Sequence, residues 1–301
     1  MKTLSTSQSG QALLIILLIA AVSLTIGLSI TSRSITDIRI SQRTEESARA
    51  YSAAEAGIEE ALATGLGNSV TFSETGAKFN SQVTGIGGSS DEFAFPQPIG
   101  SDETQTLSLA SWNNVTKLYS KSFNRSLLRV AWGNQGSLDY PALEVNIYYL
   151  DSTTYKNARF MLDPLSSRTP DPAFCNPGEV PVGQCSNVTA FSTSGVTIDS
   201  KNFQYLATLD LLNAGVTSSI GTKTPYFARL RVLYTSNSHV IGAQGAGTIY
   251  SGDGKFPSQG TKVQSTGQSG DATRAVQVTK FNPAPPELFD FAMYSGTNLS
   301  K

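Results

Sequence analysis

The sequence predicts an α+β protein: a long N-terminal α-helix, apolar in its first half, followed by a mainly antiparallel β globular head. Three observations carry this. Residues 12–30 hold no charge and are mainly apolar. Residues 31–64 keep the three-and-four spacing of an amphipathic helix with no proline, the first being Pro96. Beyond Gly65 the composition turns to Ser, Thr, Gly, Asn and β-forming residues, and short runs alternate apolar with polar positions.

The apolar run of about 19 residues is long enough to cross a hydrocarbon core at about 1.5 Å per residue. It does not read as a secretory signal, whose apolar stretch is roughly 7 to 15 residues, preceded by a basic region and closed by a small-residue cleavage site. Here Lys2 is the only basic residue ahead of the run, and Ile26–Ser34 leads straight into helix-compatible sequence. The sharp small-residue junction, Ser9-Gly10-Gln11, comes before the run instead. Glycine has no Cβ to obstruct a peptidase at the membrane surface. The expected order is therefore leader removed and apolar helix retained: a leader at 1–10 cut between Gly10 and Gln11, and a helix at 11–64 with 12–30 embedded in membrane lipid.

From Thr31 onward the helix changes solvent. Ile35, Ile38, Tyr51, Ala54, Ile58 and Leu62 form an apolar stripe, and Arg33 with Asp37 and Glu45 with Arg49 are spaced as i,i+4 ion pairs, each worth a few tenths of a kcal/mol when exposed. Ala48, Ala50, Ala53, Ala54, Ala56 and Ala61 are strong helix formers, small enough to admit a second helix closely. Gly27 and Gly57 each cost about 1 kcal/mol relative to alanine. Helical throughout, residues 11–64 make a rod on the order of 80 Å.

Gly10 ahead of Gln11-Ala12-Leu13-Leu14, followed by an arginine-dotted extension ending Ala50-Tyr51-Ser52-Ala53-Ala54-Glu55-Ala56-Gly57-Ile58-Glu59-Glu60-Ala61, resembles the type IV pilins and, within them, the PilX-type minor pilins. The resemblance covers residues 5–62. It implies that prepilin peptidase cuts between Gly10 and Gln11 and N-methylates Gln11. It also implies that the helix packs into a filament core through Leu13, Leu14, Ile15, Leu17 and Leu18 and, distally, Ala53, Ala54, Ala56 and Gly57. The implied partners are other pilin subunits, the prepilin peptidase and the pilus assembly platform, as in a pilus or a type II secretion-like filament. Two positions depart from the major pilins: Ile15 replaces the usual glutamate and Gln11 the usual phenylalanine. A buried carboxylate at membrane depth needs a partner, which in the resembled filaments is a neighbouring subunit's amino terminus. A chain with Ile15 lacks that repeating contact, which points to a minor subunit.

The head is expected at 65–281. Leu143, Val145, Ile147 and Tyr149 share one face of a strand, as do Phe203, Tyr205, Ala207, Leu209 and Leu211, and Ala228, Leu230, Val232 and Tyr234. Thr261–Gln264 and Arg274–Phe281 read as a hairpin joined by a loose loop at 265–271. The prolines of Asn282-Pro283-Ala284-Pro285-Pro286 stop it. A C-terminal tail at 282–301 carries the apolar segment Leu288–Tyr294, which either covers the head or contacts a partner.

Cys175 and Cys185 are the only cysteines. In a turn-rich loop of an exported domain they read as a disulfide, with two unpaired thiols as the alternative. Enzyme readings find little support. His239 is the lone histidine and has no marked nucleophile beside it, so it reads as a turn residue. The glycine clusters at 85–88 and 242–247 lack dinucleotide-binding spacing and read as loops. Asp151, Asp163 and Asp171 could contribute calcium ligands, but no 12-residue ligand loop surrounds them. No catalytic residue, cofactor or metal site is expected. A net charge of −1 and few basic clusters argue against nucleic acid, and no ligand of the head is named by its Ser/Thr-rich surface. The sequons at Asn114 and Asn187 are incidental in a bacterial host.

Two function classes follow. The first is a minor pilin or pseudopilin, single-pass in the cell membrane before assembly and in an extracellular filament afterwards. The second is a membrane-anchored surface adhesin or carbohydrate-binding β protein, which has no need of the Gly10–Gln11 cut.

Overall fold

The computed structural model describes residues 9–168, 174–178, 183–218, 222–247, 249 and 254–286. Among the described residues one long helix precedes sixteen strands. The helix α1 spans Ser9–Thr64. The strands that follow are β1 (Ser69–Thr71), β2 (Lys78–Gly87), β3 (Glu92–Ala94), β4 (Thr104–Ser108), β5 (Ala110–Asn113), β6 (Leu118–Lys121), β7 (Leu127–Asn134) and β8 (Ala142–Asp151). The second half holds β9 (Thr154–Leu162), β10 (Val188–Ser192), β11 (Val196–Ile198), β12 (Lys201–Asp210), β13 (Lys223–Leu233), β14 (Ile241–Ala246), β15 (Ser258–Ser269) and β16 (Ala272–Phe281). The expected α+β class, a long N-terminal helix followed by mainly antiparallel sheet, is the one observed.

The chain divides into two compact units, Met1–Val83 with Val263–Val278, and Thr84–Lys262 with Thr279–Lys301. In the first, the helix is accompanied by strands of a sheet in the order β1-β2-β15-β16. Ala53 packs with Ala77 and Phe79, and Ile58 and Ala61 pack with Val263. A chain segment some 200 residues downstream thus completes the core that the helix begins.

The second unit is built on two antiparallel sheets, β10-β12-β7-β14-β3, with β11 also on β12, and β4-β13-β8-β9. The alternation read in the sequence sets the register. Val145 of β8 sits opposite Leu230 of β13 and Phe160 of β9, and Leu143 opposite Val232 and Leu162. These side chains share one buried core with Leu128, Val130 and Trp132 of β7 and Tyr205, Ala207 and Leu209 of β12. Trp132 is fully buried, and its indole N–H donates to the Pro141 carbonyl at 2.7 Å, so the ring is buried with its one donor satisfied. Cys175 and Cys185 form a disulfide, with Cys175 bridged to Leu162 at the end of β9. The first tail residues lie against this unit: the Asn282 side chain donates to the Ser258 carbonyl at 2.5 Å, and the Tyr119 hydroxyl donates to the Pro283 carbonyl. The segment Leu288–Tyr294 lies outside the described residues.

Three expectations are corrected. The loop placed at 265–271 is strand: β15 continues to Ser269, and only Gly270 and Asp271 turn the chain, Gly270 with φ +53°. The glycine cluster at 242–247 is not a loop either, because Gly242–Ala246 lies in β14 between β7 and β3. A Cβ on Gly242 would stand 2.7 Å from the Phe203 ring, so glycine makes room for an aromatic laid over the strand. Likewise Gly85–Gly87 ends β2, and the chain bends only where Gly87 and Gly88 take φ of +66° and +86°.

Candidate functional site

The site with most structure behind it is the helix itself. Its 56 residues rise about 84 Å. Gly10 and Gln11 lie at the start of the described helix. Leu13, Leu14, Ile15, Leu17 and Leu18 are all more than half exposed. The apolar run is long enough to cross a membrane, and none of its surface is covered within the chain.

The distal half is different, and its side chains are small for a reason. Ala50 and Ala54 are fully buried, Ala53 and Gly57 are buried, and Ala56 is half-buried. They meet the chain's own strands. A Cβ on Gly267 of β15 would lie 1.9 Å from the Ala50 carbonyl oxygen and 2.5 Å from the Ala54 nitrogen, so strand backbone rests directly on helix backbone. At Gly57 an added Cβ would stand 2.3 Å from Ser265 Oγ and 2.6 Å from Phe79 Cδ2. The Ser265 hydroxyl is buried there without a hydrogen-bond partner. Arg274 of β16 donates to Ser47 Oγ at 2.8 Å, tying the hairpin to the helix one turn earlier.

On the remaining face, Glu45 and Arg49 pair at 2.5 Å as their spacing predicts. Arg33 and Asp37 make no ion pair among the described residues. The pKa of Tyr51 is raised by its hydrogen bond to Glu55, by that carboxylate's charge and by burial, in that order. Beside Ala48, Ser52 and Ala53 an open groove of about 620 Å³ runs to Phe72, Thr75 and Ala77.

Other constellations are structural in geometry. His239 is fully buried; its Nε2 lies 3.0 Å from Asp139 Oδ2 and 2.9 Å from Thr235 Oγ1, while Nδ1 accepts the Asn134 backbone N–H at 3.3 Å. A hydrolytic relay places nucleophile and carboxylate on opposite ring nitrogens. Here both crowd Nε2, and the other nitrogen is held by backbone. Burial opposes ionisation of Asp139, yet hydrogen bonds from Thr235, His239 and Asn237 hold its carboxyl below the usual range. Asp139 lies 100 residues from His239, so no local signal could have paired them.

Asp151 is met by Lys156 at 2.7 Å and Lys223 at 4.0 Å, and Asp163 by Arg168 at 3.7 Å. Cations already occupy the carboxylates that a calcium site would use. Asp171 lies outside the described residues. Among the described residues no group of three His, Cys, Asp or Glu converges on a metal position. The second unit also carries a chain of rings, Trp112 to Tyr119 at 4.8 Å, Tyr119 to Tyr226 at 5.8 Å and Tyr226 to Tyr155 at 5.9 Å, with Tyr155 66% exposed. Its first pair lies cross-strand on the β5–β6 hairpin.

No family model matches the chain, and comparison with curated proteins and with solved structures likewise finds no match.

Proposed function

We propose that this chain is a non-catalytic minor pilin or pseudopilin. It is stored in the membrane through residues 12–30, cut between Gly10 and Gln11, and assembled with other pilin subunits by the pilus assembly platform through its N-terminal helix, leaving the β head exposed on the filament. One observation carries the reading. A single unbroken helix has a bare apolar first half and a second half fastened to β structure of the same chain, which makes it a rigid rod able to pass from lipid into an assembly without refolding. Ile15 at the position of the repeating subunit's glutamate makes the subunit an accessory one.

Intact mass of the mature chain, with and without active prepilin peptidase, tests this. Loss of residues 1–10 only when the peptidase is active supports it; an N-terminus still at Met1 in its presence refutes it. A second reading, a single-pass surface adhesin whose β domain binds carbohydrate, draws on the ring chain from half-buried Trp112 to exposed Tyr155, since aromatic faces stack on sugar rings. That protein would keep its leader.

A further inference from the structure

The nearly four turns that follow the apolar run, residues 31–44, expose aliphatic and cationic side chains together. Ile35, Ile38 and Ile40 are 47%, 56% and 58% exposed, and every position in the segment is exposed. Arg33, Arg39 and Arg43 have no ion-pair partner among the described residues, whereas Arg49, Arg125, Arg159, Arg168 and Arg231 each have one. The hydroxyls nearby are turned inward: Thr31, Thr36 and Thr44 donate to the carbonyls of Gly27, Ser32 and Ile40. The arginines are the segment's cationic outward donors.

Charge also changes sign along the rod. Residues 31–44 carry a net +2 and residues 45–62 a net −4. With Ile30 at the edge of the hydrocarbon, Arg33 stands about 4.5 Å beyond it and Arg39 about 14 Å. The first lies within a headgroup layer of about 5–7 Å, and the second within a Debye length of its surface. Long arginine stems lie along apolar surface while their guanidinium groups reach phosphate.

From this placement we infer that residues 31–44 form a binding collar for anionic phospholipid headgroups, with Arg33 as the phosphate-contacting residue and Arg39 and Arg43 adding longer-range attraction. The acidic segment beyond is repelled by the same surface, which holds the rod upright. This rests on the membrane reading of residues 12–30.

The test uses the full chain reconstituted in phosphatidylcholine vesicles containing trace spin-labelled phosphatidylglycerol or spin-labelled phosphatidylcholine. About fivefold preference for the anionic label is expected at low salt, from the surface attraction of one arginine in full contact. That preference should fall at high salt and vanish in Arg33→Gln/Arg39→Gln/Arg43→Gln. Equal association of the two labels, or a preference that survives the triple variant, overturns the collar. Alkaline carbonate extraction separates the two levels: a chain released from the vesicles defeats the membrane reading itself, and one that is retained but unselective defeats the collar alone.

Discussion

Replacing Gly267 by alanine should loosen the first unit severely. The new Cβ would sit 1.9 Å from the Ala50 carbonyl oxygen and 2.5 Å from the Ala54 nitrogen. Non-bonded carbons settle near 3.5–4.0 Å, so strand and helix must part by roughly 1.5 Å. Neither obstacle is a side-chain end that can swing aside, and the helix cannot yield at one residue without bending. Such separation forfeits a quarter or more of the contact energy along Ala50, Ala53, Ala54, Ile58 and Ala61. Overpacking of this kind costs about 1–3 kcal/mol, and the backbone must move here, which places the expected cost near the top of that range. Against it stands about 0.4–1 kcal/mol gained by restricting the unfolded chain. The net expectation is a loss of about 2 kcal/mol, or roughly 8–16 °C in the first unit's transition by scanning calorimetry of the full chain in detergent. Gly85→Ala is the control, because its Cβ would meet nothing nearer than 3.8 Å. Should Gly267→Ala melt within about a degree of that control, the backbone-on-backbone contact does not exist and the argument for the small residues of α1 fails with it.

Further outcomes are expected at other positions. Ser265→Ala removes a buried hydroxyl without a partner and should raise the same transition by about 1 kcal/mol; a lower melting temperature would mean that the hydroxyl is satisfied. The Asp139 carboxyl is held below its ordinary value of 3.8, so its stabilising contribution is complete above that pH and is lost as pH falls through the lower folded value. Asp139→Asn should therefore destabilise the second unit at neutral pH and converge with wild type in strong acid; a constant gap across the pH series would contradict the linkage. Reduction of Cys175–Cys185, which closes a loop of separation 10, should lower the second unit's stability by about 2.5–3 kcal/mol, read from denaturant midpoints with and without reductant.

What could be read in the chain depended on the size of the side chains doing the packing. Strands β8 and β12 were legible because Leu, Val, Ile, Phe and Tyr alternate there with polar residues; in β12 burial follows that alternation residue by residue, whereas in β8 Asn146 and Tyr148 on the other face are buried too. The helix was legible for its unbroken period and lack of proline. Strand β15 was not, since its buried positions after Val263 are Ser265, Gly267 and Ser269. Those residues carry no apolar signal and look like a turn. They are small because a helix of small residues lies against them, a fact that belongs to a pair of segments and to neither alone. The alanine stripe announced a close contact but not its partner. The same limit hid the pairing of His239 with Asp139.

The union of α1 with a hairpin drawn from residues 263–278 has a bearing on how the protein is made. The alanine face at 50–61 emerges from the ribosome early, yet the hairpin that completes its cover is synthesised some 200 residues later. Until then the face has only the nearby segment with Ala77 and Phe79 to pack on it, and the first unit waits on the slow loop closure that such distant contacts demand. A chain cut short before the hairpin would keep its membrane-length helix and lose the cover of its distal half. Synthesis of a distant segment is thus built into the rod: only a chain that has reached residue 278 can complete its cover.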